Sequence, residues 1–303
     1  MNKGQIIKAL SGFYYIKTPE GTIYQTRARG IFRKKKITPL VGDYVEFSYG
    51  TEKEGTLEKI FPRKNELNRP AISNIDLGII VMSISSPDFS SSLLDRFLVS
   101  LEYKEIKPLI YVTKTDIASE EEYTRTKKIC EEYQIIGYTV VLPEWKKEMG
   151  PEDVKAILTS HVQDKTIVFI GQSGAGKSTL LNKIDPSLNI KTADTSKSLG
   201  RGKHTTRHVE LIPVMGGLIA DTPGFSAIQF DEIEESELSE CFPEIWEKGK
   251  ECRFSSCIHL NEPNCAVKDA LSQGDIMDYR YKNYLSLLEE IKNRKPRYGK
   301  KGE

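Results

Sequence analysis

The first seventy residues alternate between apolar and polar positions in short runs, with glycine and proline between the runs. In the run V-E-F-S-Y at 45–49 every second side chain is apolar, which would place the apolar ones on one face of a strand. No helical period is present there. The pattern predicts strands over residues 5–16, 22–31, 43–49 and 55–61, and a small five-stranded barrel of the OB type fits this length.

From residue 75 onward the pattern becomes one of strands alternating with helices. Strands are predicted over residues 75–83, 108–113, 135–141 and 166–170, and helices over residues 93–103, 120–133 and 151–161. This alternation is typical of an α/β domain with a mostly parallel sheet. After residue 224 the strand signal ends, and an acidic segment, a cysteine cluster and a helix over residues 275–294 follow.

Length and charge refine this picture. A chain of 303 residues exceeds the usual size of one domain, so two or three compact units are expected. The net charge is only +1, yet residues 1–70 hold 14 Lys and Arg against 7 Asp and Glu, and residues 291–303 hold 6 against one. Positive segments like these suit a polyanionic partner, although the C-terminal one is equally typical of a solvated tail.

Nothing in the sequence points to a membrane or to secretion. The longest apolar stretch, residues 77–82, is far too short to span a bilayer, and the first twelve residues lack the hydrophobic run of a signal peptide. We therefore expect a cytoplasmic protein that contacts no membrane.

Basic side chains cluster on and just after the second predicted strand, with three tyrosines nearby. OB-type barrels present basic and aromatic side chains to nucleic acids, so these residues are the candidate RNA contacts. A purely structural barrel is the alternative. The candidates are Arg27, Arg29, Arg33, Lys34, Lys35 and Lys36, and the tyrosines are Tyr14, Tyr15 and Tyr24.

A glycine-rich segment lies between the strand predicted at 166–170 and a helix-compatible segment. It matches G-x-x-x-x-G-K-[ST] with Gly171, Gln172, Ser173, Gly174, Ala175, Gly176, Lys177 and Ser178, and Thr179 follows. Glycines let backbone N–H groups surround phosphates, and a helix N-terminus faces their charge. The pattern predicts a nucleotide phosphate site, with Lys177 on the β- and γ-phosphates and Ser178 on Mg²⁺.

A second segment, Thr113, Lys114, Thr115 and Asp116, matches the N/T-K-x-D pattern with which GTPases bind guanine. An aspartate there can accept two hydrogen bonds from guanine, whereas adenine would leave the carboxylate unpaired. Asp116 is therefore the candidate guanine selector, and the stem of Lys114 is expected to pack along the base. Thr113 stands where Asn is commoner, which is expected to weaken binding without changing the choice of base.

Two further segments complete a set of GTPase motifs. Asp221 and Gly224 belong to D-T-P-G, the D-x-x-G pattern that binds Mg²⁺ through water and contacts the γ-phosphate. Before it lies R-G-K-H-T-T, in which Thr205 or Thr206 is expected to be a further Mg²⁺ ligand, Thr206 being slightly favoured. The guanine segment comes first along this chain, whereas ordinary GTPases place it last. The order therefore predicts a circularly permuted GTPase with an unchanged site.

Three cysteines and one histidine lie within fourteen residues, as Cys252, Cys257, His259 and Cys265. Four nitrogen and sulfur ligands suit a closed tetrahedral zinc site, and because protein groups fill all four positions the role would be structural. Reduced cysteines without a metal are the alternative, and a disulfide is disfavoured in the cytosol.

The order of barrel, permuted GTPase motifs and cysteine-histidine module resembles the bacterial small-ribosomal-subunit-dependent GTPase A family over essentially the whole chain. The resemblance is carried by T-K-T-D, G-Q-S-G-A-G-K-S, R-G-K-H-T-T, D-T-P-G and C-x₄-C-x-H-x₅-C. It implies an RNA-binding OB domain over residues 1–67, a permuted GTPase domain over 68–226 and a mostly helical zinc domain over 227–303. It also implies a late assembly factor, expected to be a monomer, that binds the small ribosomal subunit and its rRNA and hydrolyses GTP to GDP when that subunit stimulates it.

A residue that orients the attacking water is expected outside D-x-x-G, because Phe225 occupies the position where many GTPases carry Gln. The place of His204 in R-G-K-H-T-T resembles that of the family's proposed catalytic histidine, and a neutral imidazole can position or deprotonate water. Lys177 and Thr206 are the other candidate catalytic residues. The Ser-Ala segment that often supports guanine is not evident between residues 138 and 150.

Three other interpretations stay open at the level of sequence. In a phosphate-loop kinase Asp116 would be irrelevant, and in an RNA-binding scaffold the nucleotide would serve only stability. A GTPase of the same kind could also act on the large subunit or on a transfer RNA.

Overall fold

The structure is a computed structural model. It describes residues 1–50, 54–68, 70–188, 190, 209–221 and 232–294, the side chain of Asp221 excepted. The chain divides into two compact units. One consists of Met1–Phe89 with Lys104–Ala227, and the other consists of Ser90–Tyr103 with Ile228–Glu303.

Five strands of the first unit close into the predicted barrel. They are β1 Asn2–Leu10, β2 Phe13–Lys17, β3 Ile23–Ala28, β4 Tyr44–Ser48 and β5 Gly55–Ile60. The order is β1-β2-β3-β5-β4, and β4 pairs back to β1, which closes the sheet. Ile6, Ile16, Val45, Phe47 and Leu57 are fully buried, so the apolar positions of the alternating pattern fill the barrel.

The prediction of one strand over residues 5–16 is wrong. This segment forms a hairpin of two strands, β1 and β2. Ser11 (φ 51°) and Gly12 (φ 82°) adopt the left-handed conformations of a two-residue turn, so the chain reverses between β1 and β2. Apolar residues continue on both sides of this Ser-Gly pair. The periodicity of apolar positions therefore does not reveal the turn.

The prediction for residues 22–31 is wrong at its end, and the expected lack of helix is wrong as well. β3 stops at Ala28, and helix α1, Gly30–Lys34, follows with Phe32 buried. Five residues are too few to show a helical period. A further short hairpin, β6 Glu66–Asn68 and β7 Ala71–Ser73, was not predicted.

Six strands form the α/β part of the first unit. They are β8 Leu77–Ser83, β9 Lys107–Thr113, β10 Thr139–Val141, β11 Thr166–Ile170, β12 Glu210–Val214 and β13 Gly217–Asp221. Their order is β10-β9-β8-β11-β13-β12, and the pairing is parallel except that β12 runs antiparallel to β13. β12 also pairs with β1 at Glu210 and Lys8, so the sheet and the barrel meet edge to edge.

The longer helices are α2 Ser91–Tyr103, α3 Glu120–Ile136, α4 Pro151–Val162, α5 Lys177–Ile184, α6 Pro243–Gly249, α7 Ala266–Gln273 and α8 Asp278–Lys292. α3 begins at a capping box between Ser119 and Glu122 and ends at Gly137, whose φ is 114°. The strand predicted over residues 135–141 is therefore wrong in its first half, because the helix continues to Ile136.

The second unit is mostly helical, as predicted. Its apolar core includes Leu238, Phe242, Ile245 and Tyr284, all fully buried. Val99 of α2 belongs to the same core, so a helix that lies between two sheet strands in sequence packs with the C-terminal helices. Within the described ranges, none of the helices combines the length and the apolar character needed to cross a bilayer.

Candidate functional site

The phosphate loop begins where β11 ends, at the carboxyl edge of the parallel sheet. Gly171, Gly174 and Gly176 all have positive φ, at 150°, 82° and 92°. A Cβ on Gly171 would lie 2.3 Å from the carbonyl oxygen of Val81, so a larger residue cannot be accommodated without a backbone shift. α5 starts directly after Gly176, and its N-terminus completes the loop.

Lys177, the first residue of α5, lies over this loop. Its ammonium donates to the carbonyl oxygens of Gly171 and Gln172, the latter at 2.7 Å. Burial lowers the pKa of Lys177 to about 8. No carboxylate pairs with it in the described part of the chain, so a bound phosphate would supply the anionic partner that this ammonium lacks.

The lowered pKa of Lys177 predicts a pH-dependent nucleotide affinity. Phosphate stabilises the ammonium, so the complex keeps a proton that the free protein loses above a pKa of about 8. GDP affinity should therefore fall roughly tenfold between about pH 7 and about pH 9, while the proton uptake on binding rises from nearly none to nearly one. Calorimetric titration in two buffers of different ionisation enthalpy measures both quantities.

The matched control for this prediction is Lys177→Arg. A guanidinium stays protonated over this pH range, so the variant's affinity, even if lower, should not change between the two pH values. The same pH dependence in both proteins would exclude Lys177 as its source.

The guanine segment follows β9 and is tied to the phosphate loop. Thr113 Oγ1 donates to the carbonyl oxygen of Ala175 at 2.6 Å. Lys114 has a φ of 64°, and its ammonium donates to the carbonyl oxygen of Ser86. Thr113 stands where Asn is commoner, and its hydroxyl links the guanine segment to the phosphate loop.

A cavity of about 230 Å³ lies between these two segments. Its walls include predicted residues from both, namely Thr113, Lys114, Thr115, Asp116, Gly176 and Thr179. Thr115 is buried, whereas Asp116 is exposed and free to meet a ligand in the cavity. The structure therefore brings together residues that are far apart in sequence.

The loop at 142–150 forms a further wall, and sequence reasoning missed it. Pro143, Lys147 and Met149 line the cavity. The loop is fixed to the guanine segment by the Lys146 N–H, which donates to the carbonyl oxygen of Thr115 at 3.2 Å. This is the region where the Ser-Ala support is not evident. Its position after a strand, at the ligand-binding edge of a parallel sheet, is the signal that could have identified it.

Other predicted residues fall outside the described part of the chain. They are His204, Thr205, Thr206 and Gly224. The backbone of Asp221 is described and ends β13, which runs parallel to β11. Asp221 therefore lies at the same edge of the sheet as the phosphate loop.

The predicted metal ligands Cys252, Cys257, His259 and Cys265 converge in the second unit, with their ligand atoms all within 4.8 Å of one another. Two sulfur–sulfur distances are 3.8 and 3.9 Å, and His259 Nδ1 lies 3.6 and 3.5 Å from the sulfurs of Cys252 and Cys265. A tetrahedron with metal–sulfur bonds of about 2.3 Å has edges of about 3.8 Å. The cluster can therefore hold a metal ion.

The predicted RNA contacts divide into two groups. Arg27 pairs with Glu54 at 2.9 Å and Arg29 pairs with Glu58 at 2.7 Å, so carboxylates already neutralise these two. The remaining candidates, Arg33, Lys34, Lys35 and Lys36, lie on α1 or directly after it.

Comparison with known proteins agrees with this arrangement. The model of the RsgA GTPase family matches residues 60–231, and that of the RsgA N-terminal domain matches residues 3–57. The chain belongs to the RsgA GTPase family. It is therefore a GTP-hydrolysing enzyme with a circularly permuted GTPase fold.

Relatives cover the whole length of the chain. The small ribosomal subunit biogenesis GTPase RsgA of Enterococcus faecalis (strain ATCC 700802 / V583) is 54% identical over 99% of this chain and 98% of its own. The protein of the same name from Bacillus subtilis (strain 168) is 52% identical over 98% and 100%.

Solved structures show the same architecture. The crystal structure of YloQ, a circularly permuted GTPase, has a TM-score of 0.83 at 48% identity and covers 98% of this chain and 97% of its own. That of YjeQ from Thermotoga maritima also has a TM-score of 0.83, at 30% identity, with 97% and 99% covered.

Proposed function

We propose that this chain acts in the biogenesis of the small ribosomal subunit, and that the subunit stimulates its hydrolysis of GTP. The observation that carries the GTP-binding part of the proposal is a cavity lined by both the guanine and the phosphate segments, which the Thr113–Ala175 hydrogen bond joins. Relatives at 52–54% identity over nearly the whole chain are named small ribosomal subunit biogenesis GTPases, which supports the first part of the proposal.

The cavity residues would share the work of binding GTP. The Asp116 carboxylate would accept two N–H groups of guanine, and Lys177 would contact the β- and γ-phosphates. Ser178, Asp221 and either Thr205 or Thr206 would hold Mg²⁺, which would neutralise charge on the phosphates.

Water activation is assigned to His204. Phe225 cannot orient water, and a neutral imidazole in the segment before D-x-x-G can position it or accept its proton. Lys177 and the backbone donors of the phosphate loop would stabilise the charge that develops in the transition state.

The four-ligand cluster would hold one structural zinc ion. Its edges match those of a tetrahedral site, and Cys₃His sets of this kind are closed, with no position left for a substrate. The metal would fix the irregular segment at 250–265, which precedes α7. The barrel would bind rRNA, with the protein acting as a monomer on the subunit.

Steady-state GTP turnover with isolated small subunits, large subunits, whole ribosomes or free RNA tests this proposal. We expect small subunits alone to stimulate turnover strongly. His204→Ala should lower the stimulated kcat by about 100-fold, while nucleotide affinity stays unchanged, because a water-orienting group acts only on the chemical step.

His208→Ala is the control for this variant, since it removes an imidazole four residues away. Equal stimulation by large subunits would redirect the proposal to another target, and unchanged turnover in His204→Ala would remove that histidine from the mechanism.

A further inference from the structure

A second cavity of about 490 Å³ lies in the first unit, between the barrel and the turn that joins β12 to β13. Its volume falls within the roughly 300–1,000 Å³ that is typical of ligand sites. The barrel side includes Lys3, Lys17, Tyr44 and Phe61, and the opposite side includes Pro213. None of the site residues predicted from the sequence lines it.

The strand register explains why these side chains share one face. Gln5 pairs with both Lys17 and Tyr44, and the N–H of Phe61 donates to the carbonyl oxygen of Tyr44 at 2.9 Å. Paired residues on adjacent strands point to the same side of a sheet. Val45, next to Tyr44, is fully buried in the barrel, so the row lies on the outside, where Tyr44 is 49% exposed.

Two lysines lie beside one aromatic ring of this face, that of Phe61. The ammonium groups of Lys3 and Lys59 lie 5.5 and 5.3 Å from the centre of the Phe61 ring. Within the described ranges, neither of them nor Lys17 forms an ion pair. Glu46 lies opposite Lys3 and Lys59 in the register. The charge of Asp76 also acts on Tyr44, but Asp76 is paired with Lys64, so the face keeps a positive balance.

We propose that this lysine–tyrosine face binds a single-stranded segment of RNA, with one base stacked on Tyr44 and neighbouring phosphates on Lys3, Lys17 and Lys59. An exposed aromatic ring, here Tyr44, among cations without ion pairs is a combination with which barrels hold single strands. The exposed ring favours a base over a bare phosphate ion, because inorganic phosphate has no surface to stack. The inference rests on the proposed binding of RNA and places it away from the paired residues Arg27 and Arg29.

The test measures binding of a fluorescein-labelled single-stranded RNA 10-mer to the full chain by anisotropy at several salt concentrations. Tyr44→Ala should weaken binding about tenfold with an unchanged salt slope, and Tyr44→Phe should bind like the unchanged protein. The triple variant Lys3→Gln, Lys17→Gln and Lys59→Gln should reduce the slope of log K against log salt by about 2.

The control triple Arg125→Gln, Lys127→Gln and Lys128→Gln removes the same charge from the exposed surface of α3 and should leave the slope unchanged. Equal effects of the two triples, or full binding by Tyr44→Ala, would overturn the proposed face. If inorganic phosphate competes with the RNA when its concentration equals that of the RNA phosphates, the face is instead an anion site and the proposal is overturned.

Failure of the unchanged chain to bind RNA would contradict the proposed function itself. GTP turnover without RNA should stay unchanged in all variants, since none of these residues lines the nucleotide cavity.

Discussion

Asp116→Asn should convert this GTPase from guanine to xanthine nucleotides. The carboxylate of Asp116 lies at the cavity and can accept the two N–H groups on one edge of guanine. An asparagine in its place accepts only one of these N–H groups through its oxygen. Its own NH₂ group then faces the other guanine N–H, so two donors meet without an acceptor. GDP affinity should therefore fall by about 1,000-fold, since two charge-assisted hydrogen bonds are lost and donors are left unpaired.

Xanthine carries a carbonyl where guanine carries the amino group, so the asparagine amide can pair with it on both atoms. Xanthosine diphosphate should bind Asp116→Asn to within about tenfold of the GDP affinity of the unchanged chain. Calorimetric titration of both nucleotides against both proteins measures the exchange of preference.

Glu120→Gln is the matched control, because it removes one carboxylate at the exposed first turn of α3, beyond the cavity. Both affinities should be unchanged in it. Retained GDP binding by Asp116→Asn would mean that another group reads the base. Loss of both nucleotides together with a lower unfolding temperature would mean that the change acts on the fold.

Local patterns in the sequence account for much of this architecture. The sequence predicts the strand Thr166–Ile170 residue for residue, since four consecutive apolar residues directly before a glycine-rich loop admit few other structures. The four ligands at 252–265 were also predicted together and converge as expected, because their spacing is itself the geometric requirement. The strand prediction is confirmed, and the convergence of the four side chains is what a metal site would need.

The sequence does not predict features of the structure that depend on long-range packing. The hairpin at Ser11 and Gly12 reverses the chain inside an apolar run, and the pairing of β1 with β2 and β4 is a property of the whole barrel. The cavity wall at 142–150 carries no motif, since its role comes from the backbone bond between Lys146 and Thr115. The helix α2 is predicted, but its packing with the C-terminal helices is not visible in the local pattern, since an apolar stripe fits a sheet and a helical core equally well.

A buried charge network explains why α2 packs with the C-terminal helices. Arg280 of α8 is fully buried and donates through Nε and Nη2 to the two carboxylate oxygens of Glu244, at 2.6 and 2.9 Å. Its Nη1 donates to Asp95 of α2, which is itself fully buried and accepts from Asn283 at 2.7 Å. The guanidinium therefore joins α2, α6 and α8 in one polar cluster within an apolar core.

Arg280→Met should lower the free energy of unfolding of the second unit by about 3–5 kcal/mol, because Asp95 is then buried without its cation. The chain has 2 Trp, so a Trp145→Phe background leaves Trp246 of α6 as the fluorescent reporter of this unit in urea titrations at constant zinc. The control is Arg96→Met, which breaks the ion pair between Arg96 and Glu290. Their side chains are 34% and 49% exposed, so this change should lower the free energy of unfolding by at most about 1 kcal/mol.

A second variant separates loss of charge pairing from loss of packing. Asp95→Leu combined with Arg280→Met removes the stranded carboxylate and should recover part of the lost free energy of unfolding, since an apolar replacement of a buried pair is often neutral. Recovery would identify the unpaired carboxylate as the source of the destabilisation. If Arg280→Met costs no more than Arg96→Met, the network contributes nothing to the stability of this unit, and the apolar core around Phe242 alone holds α2 in place.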